Sequence, residues 1–287
     1  MASQEENRIS RIKDRLLKAV DSWTDPLAIF LNIFLTLFYY LYDVFYVVPQ
    51  MLGTTGNAVH FVVTTWIVYN ILGNLRACSK TKSSVDTLPP ELMQPAKGEE
   101  HLWHSCEKCQ RTVPPRSWHC KVCNICILKR DHHCSFVANC VGHNNHRYFM
   151  WFAFYATLGS TIALVENLLF ALRNKISVLS LFSFNGLLLA EYLHRGSVNM
   201  ALEVQVRLVF YVNICAVLFP GLLFFQQIFL IRRNAVMHNS SDRTYDLGCW
   251  KNFAQVLGRR HFWTFLSPSI KSPLPNDGTQ WQSKHNV

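Results

Sequence analysis

The sequence predicts an α-helical polytopic membrane protein with four transmembrane helices and a polar, cysteine-rich cytosolic domain between the second and third. Three observations carry that expectation. Apolar residues gather in long blocks, the lysines and arginines avoid one of the connections between them, and seven of the ten cysteines fall between residues 106 and 140.

Residues 26–48 form the first block, with one charge, Asp43. Residues 57–75, 148–172 and 208–231 form the others, and only Glu166 interrupts them. About 20 helical residues cross a hydrocarbon core, so each block is long enough to span. Four such helices in a soluble chain would need a core too large for the polar remainder to cover. A fifth block, 176–193, is broken by Ser180, Ser183, Asn185 and Gly186 and suits a membrane-surface or re-entrant segment better than a crossing.

Orientation follows from the basic residues. Residues 1–25 hold five Lys and Arg, 76–147 hold eleven and 232–287 hold eight, whereas the connection PQMLGTTG at 49–56 holds none. Basic segments stay in the cytosol, so both ends and the centre are cytosolic and the number of crossings is even. The expected order is a cytosolic amphipathic segment (1–25), transmembrane helices one and two (26–75), the cysteine-rich domain (76–147), helices three and four with a lumenal loop (148–231) and a cytosolic tail (232–287). In the first segment Ile9, Ile12, Leu16, Val20 and Trp23 recur at helical spacing, and residues 1–22 lack the apolar stretch of a signal peptide. The net charge of +10 then belongs to membrane topology and anionic headgroups, not to nucleic acid.

Cytosolic thiols stay reduced, which turns the cysteine cluster away from disulfides and towards metal or catalysis. Cys106, Cys109, Cys120, Cys123, Cys126, Cys134 and Cys140 lie among His119, His132 and His133. A two-residue gap between cysteines lets both sulfurs face one tetrahedral zinc ion. A polar segment this short has no core of its own and needs such a staple. Two structural zinc ions use eight of these ten groups. One thiol and one imidazole remain beside an aspartate, the arrangement of an activated nucleophile; counting alone does not say which thiol it is.

The stretch from Trp103 to Phe149 carries Pro114-Pro115-Arg116-Ser117, Asp131-His132-His133-Cys134 and Cys140-Val141-Gly142 followed by Asn145 and Phe149. It resembles the cysteine-rich domain of DHHC-type protein S-acyltransferases, the palmitoyltransferases, whose four-span layout also fits the topology above. In the tail, Tyr245-Asp246-Leu247-Gly248 with Asn252 and Gly258 is similar to the family's C-terminal motif, whose asparagine helps dock the tail. The resemblance implies one zinc on Cys106, Cys109, His119 and Cys126, and a second on Cys120, Cys123, His133 and Cys140. It leaves Asp131, His132 and Cys134 as catalytic residues, with Cys134 the nucleophile. It further implies acyl-CoA as co-substrate, membrane-associated proteins with cytosolic cysteines as acceptors, a long acyl chain, palmitoyl first, and an endomembrane address in the Golgi or endoplasmic reticulum.

Two family signatures are missing. The segment after the second span reads CSKTKSSVDTLPP and contains no Asp-Pro-Gly. After the fourth it reads RRNAVMHNSSDRTYD, with no Thr-Thr-x-Glu to pack near the active site. Arg116, Lys129 and Arg130 are the cations expected to meet the CoA phosphates. Asp43 and Glu166 are expected to reach the lumenal interface, and Cys78 to offer a thiol for acylation at the membrane surface. A zinc-bearing membrane adaptor needs no Asp-His pair beside a spare thiol, and a cross-brace ubiquitin ligase lacks the adjacent His-Cys pair; both fit less well.

Overall fold

The computed structural model describes residues 23–176, 181 and 198–284. The amphipathic reading of residues 1–22 and most of the fifth apolar block lie outside them. Among the described residues four helices are long and apolar enough to cross a membrane: α1 (Trp23–Gln50), α2 (Thr54–Lys80), α3 (His146–Arg173) and α4 (Val198–Arg232). They outrun the apolar blocks, because a helix continues past the hydrocarbon until its end groups find partners. A fifth helix, α5 (Cys249–Leu257), belongs to the tail.

The chain divides into two compact units. The first to be described comprises residues 35–71 and 152–225. Its core joins Val47, Phe170, Ala171, Val206 and Phe210, and the Tyr39 hydroxyl donates to the Val209 carbonyl at 2.9 Å. Val62, Leu222 and Phe225 stand 65–69 % exposed, the display expected of helices solvated by lipid and not by water. Pro220 sits inside α4 and has no N–H to give the Ala216 carbonyl one turn back. The Ser160 hydroxyl of α3 reaches that carbonyl at 2.8 Å and the Ala156 carbonyl of its own helix at 2.6 Å, its single proton serving one or the other.

Asp43 and Glu166 are the acids within the spans. Asp43 opens a π-helical turn, Asp43–Val47, at 5 % exposure, and Glu166 Oε1 lies 2.8 Å from His60 Nε2. Asp43 is buried against protein and Glu166 is half-buried beside His60, the kind of enclosure an acid inside a span needs.

The second unit comprises residues 1–34, 72–151 and 226–287. Three antiparallel hairpins form its centre: β1 (His104–Cys106) with β2 (Arg111–Val113), β3 (Trp118–Cys120) with β4 (Ile125–Ile127), and β5 (His132–Cys134) with β6 (Asn139–Val141). Three-residue strands are too short to be stable alone. The hairpins are anchored to the end of α2 by asparagine amides. Asn139 Nδ2 reaches the carbonyls of Cys78, Ser79 and Thr81 at 3.0–3.2 Å. Asn145 Nδ2 reaches those of Cys78, Thr81 and Cys140 at 2.9–3.2 Å, and its Oδ1 accepts from the Gly142 N–H. Carbonyls that a helix end leaves unpaired are thereby satisfied. Gly142 is required by a close approach, since a Cβ there would stand 2.6 Å from the Leu128 carbonyl oxygen.

This capping buries Cys78 completely, so its thiol is not the surface acceptor read from the sequence. It also makes Asn145 a prediction. Asn145→Ala strips several buried groups of their partners at about 1–3 kcal/mol each, so the thermal midpoint of the purified protein should fall by more than ~5 °C. An unchanged midpoint in a detergent melt would show that the cap is dispensable.

Candidate active site and metal centres

The hairpins repeat every fourteen residues, and the repeat builds the metal centres. Cys106, Cys120 and Cys134 end the first strands and face Arg111, Ile125 and Asn139 in equivalent register. The second sulfur of each turn comes three residues later, as Cys109 and then Cys123, but the third turn has Val137. After it the backbone turns left-handed, at Gln110, Asn124 and Ala138 (φ 53°, 55° and 45°). The strand centres pair Ser105 with Thr112, His119 with Cys126 and His133 with Cys140.

Each turn with two cysteines faces the strand centre of the next hairpin. Cys106 and Cys109 meet His119 and Cys126, while Cys120 and Cys123 meet His133 and Cys140; within each set all ligand atoms lie within 4.8 Å of one another. Measured edges are 3.3 Å for Cys109 Sγ to His119 Nδ1, 3.5 Å for Cys109 to Cys126, 3.3 Å for Cys123 Sγ to His133 Nδ1 and 3.5 Å for Cys123 to Cys140. A tetrahedron with Zn–S bonds near 2.3 Å has edges of about 3.8 Å, so a zinc ion fits with a small expansion. His133 supports the same reading. Its Nδ1 faces the sulfurs and its Nε2 lies 3.2 Å from Asp25 Oδ2, the outer carboxylate that commonly orients a metal-bound imidazole. All ten cysteines are free thiols.

The third turn has no following hairpin and no second cysteine. Cys134 therefore stands in the position of a ligand but belongs to neither four-residue set among the described residues. Beside it His132 Nδ1 lies 2.8 Å from Asp131 Oδ2, leaving Nε2 free to serve a thiol, and Cys134 is the further hydrogen-bond partner of the ring. The His132 ring meets Phe149 edge-on at 5.0 Å. Burial opposes charge on His132, but the Asp131 hydrogen bond and the Cys134 contact outweigh it and push the pKa up to about 9. Burial also works against the Asp131 carboxylate. Its hydrogen bond with His132 prevails and holds it below the usual carboxylate range. The geometry brings together a thiol, a base and an orienting acid.

Two partners of Asp131 were not anticipated. Gln227 of α4 donates from Nε2 to Asp131 Oδ2 at 2.9 Å, and its Oε1 pairs with His146 Nε2. The Met237 N–H donates to Asp131 Oδ1 at 2.7 Å. Met237 lies in the RRNAVMHN segment, so the chain without Thr-Thr-x-Glu still reaches Asp131, through its main chain. Asn252 completes the tail's anchorage, donating to the Arg232 carbonyl at 2.8 Å and to Asp246 Oδ1 at 2.7 Å.

Arg116 and Lys129 occupy structural positions. The Arg116 guanidinium stacks on Tyr245 and Trp281 at 4.5 and 4.4 Å and bonds to Asn234, and Lys129 is 1 % exposed with its ammonium over Trp281. Their charges hold the tail through cation–π contacts and are not presented to a soluble headgroup. Arg130 is less enclosed, with Nη1 3.2 Å from His238 Nδ1.

A profile of the DHHC palmitoyltransferase family matches residues 99–243. The chain is 32 % identical to the probable palmitoyltransferase ZDHHC24 of Homo sapiens over 247 residues, covering 83 % of this chain and 84 % of that one. The chain belongs to the DHHC palmitoyltransferase family. The zebrafish (Danio rerio) protein of the same name is 29 % identical over 80 % of this chain and 77 % of its own. The probable protein S-acyltransferase 12 of Arabidopsis thaliana is 32 % identical over 60 % of this chain and 56 % of its own. This DHHC protein is thus a membrane-embedded enzyme that transfers acyl groups to proteins.

Gln227 gives the family fold a testable positioning residue. Gln227→Glu sets a second buried carboxylate beside Asp131, whereas Gln227→Leu only removes a hydrogen bond. The expected order of acyl-transfer rate is wild type, then Leu at about a tenth, then Glu lower still, with equal metal content. Equal rates for Leu and Glu would show that the Asp131 environment is indifferent to charge.

Proposed function

We propose that the protein transfers a long-chain acyl group, palmitoyl first, from acyl-CoA to cysteines of membrane-associated proteins through a Cys134 acyl-enzyme. One observation carries the reading: Cys134 has no metal partners in its turn and adjoins the Asp131–His132 pair. His132 takes the Cys134 proton, the thiolate attacks the thioester carbonyl carbon, and the bond from that carbon to the CoA sulfur breaks. The CoA thiolate leaves with the proton from His132. In the second half His132 accepts the proton of the substrate thiol, which attacks the Cys134 thioester and releases the Cys134 sulfur to take that proton back. Asp131 holds the ring and stabilises its charged form in both halves.

The eight cysteine and histidine ligands would hold two zinc ions, which with four protein ligands apiece are structural and supply no open coordination position. With Arg116 and Lys129 committed to the tail, Arg130 is the cation of the expected three left for the CoA phosphates. The basic segments favour the cytosolic face for this site, and the family resemblance favours an endomembrane, Golgi or endoplasmic reticulum.

The test is a pulse of radiolabelled palmitoyl-CoA on purified protein, followed by a chase with an acceptor cysteine peptide. The expected result is a protein-bound label that neutral hydroxylamine removes and that the chase moves to the peptide. Label resisting hydroxylamine, or peptide labelled while the protein-bound pool stays constant, would replace the covalent mechanism with direct transfer.

A further inference from the structure

A pocket of about 420 Å³ opens where α4 ends and α5 begins, lined by Phe229, Arg232, Arg233, Arg243, Asp246, Gly248 and Cys249. Nothing in the catalytic arrangement uses it. Three arginines against one aspartate leave its wall two positive charges in surplus. The aspartate is committed to the scaffold: Asp246 Oδ1 accepts from the Gly248 N–H and from Asn252, while Oδ2 faces Arg243 at 3.8 Å and Lys284 at 3.7 Å. Gly248 precedes helix α5 as its N-cap and offers no side-chain cap, so the positive end of the helix dipole adds to the same wall.

The other wall is apolar. Phe229 is 48 % exposed on the membrane-spanning helix α4, one turn before Arg232, and the Arg233 guanidinium stacks on its ring at 3.7 Å. The pocket therefore runs from the lipid-facing surface of a span to a cluster of guanidinium forks, which suit phosphate oxygens better than a single ammonium does. A soluble anion would use only the basic wall; an amphiphile with a phosphate head would use both.

We propose that this pocket binds the phosphate headgroup of an anionic phospholipid, with its acyl chains against Phe229 and the surface of α4. Arg232 and Arg243 are exposed and take the phosphate, while Arg233 is steered by the Phe229 ring. Cys134 is not among the lining residues, and the assignment does not depend on the acyl-enzyme chemistry. It rests on α4 being a membrane span, whose basic end meets a leaflet rich in acidic lipids.

The purified full chain in micelles is titrated with dioctanoyl phosphatidic acid, dioctanoyl phosphatidylcholine, glycerol 3-phosphate and CoA, and bound ligand is counted by native mass spectrometry. Phosphatidic acid is expected to bind at least ~10-fold more tightly than either phosphatidylcholine or glycerol 3-phosphate. Arg232→Gln with Arg243→Gln should weaken it by ~10-fold or more, at about fivefold per cation near a membrane surface. Arg243→Gln alone, on an exposed loop, should weaken it severalfold, and the double lysine variant should retain an intermediate affinity. Folding is followed by gel filtration and a thermal melt. Equal binding of phosphatidylcholine would overturn the proposal, as would arginine variants of wild-type affinity. Glycerol 3-phosphate or CoA binding as tightly as the lipid would make this a soluble-phosphate site instead.

Discussion

Cys134→Ala will abolish the hydroxylamine-sensitive acyl label while metal content and thermal stability stay near wild type. The reason is positional. In the first two hairpins the equivalent sulfurs, Cys106 and Cys120, each belong to a set of four groups able to hold a metal ion. In the third, Val137 replaces the second cysteine and no later hairpin supplies a strand centre. Removing Cys134 therefore removes chemistry and no metal bond. His132→Ala should keep the thiol in place and lose its base, a deficit of roughly 10²–10⁴-fold in acylation rate. Asp131→Asn should fall between that variant and wild type, since the ring keeps a hydrogen-bond partner but loses the charge that favours its protonated form. Mapping the acyl group by proteolysis separates this from its rival. An acyl group on Cys140, or metal lost from Cys134→Ala, would exchange the roles of the two cysteines.

Much of this was legible in the sequence, and the parts that were not have identifiable physical causes. Long apolar blocks signal spans because the bilayer demands length and hydrophobicity of every one. Paired cysteines signal metal because tetrahedral coordination demands their spacing. Counting ligands left a thiol over without naming it; the fourteen-residue repeat favours Cys134, and was readable in Cys106, Cys120 and Cys134 with Cys109, Cys123 and Val137. Gln227 was not legible, since one amide in an apolar helix looks like any other until its neighbours are known. The Met237 N–H carries no side-chain signature, which is why the missing Thr-Thr-x-Glu looked like a gap in the site. Arg116 and Lys129 misled for a related reason. Their aromatic partners Tyr245 and Trp281 lie more than a hundred residues away in the chain, and a cation stacked on a ring reads in sequence like a cation in water. Cys78 reads as a surface thiol until the asparagines that cap α2 are placed over it.

Loss of zinc ligands should destroy the domain in a pattern set by the interleaving of the two sites. The middle hairpin serves both: His119 and Cys126 belong to the first set, Cys120 and Cys123 to the second. Its strands are three residues each, so metal is expected to hold it more than the ladder does, since structural zinc contributes on the order of 10 kcal/mol or more to such domains. Cys123→Ala should accordingly unfold the middle hairpin, release both ions and end acylation, even though it removes a ligand of only one site. Cys106→Ala acts at the open end, on the hairpin that serves one ion, and should lower the metal stoichiometry from two to one while the second set keeps all four ligands. Asp25→Ala leaves every ligand in place and removes the carboxylate 3.2 Å from His133 Nε2. It should weaken the second site by about 10–100-fold in a chelator competition without changing the stoichiometry at saturating zinc. Elemental analysis of the three purified proteins decides between this chain of dependence and two independent sites. If Cys123→Ala keeps one ion and Cys106→Ala also keeps one, the middle hairpin folds without its second metal, and the ladder itself must be holding the strands.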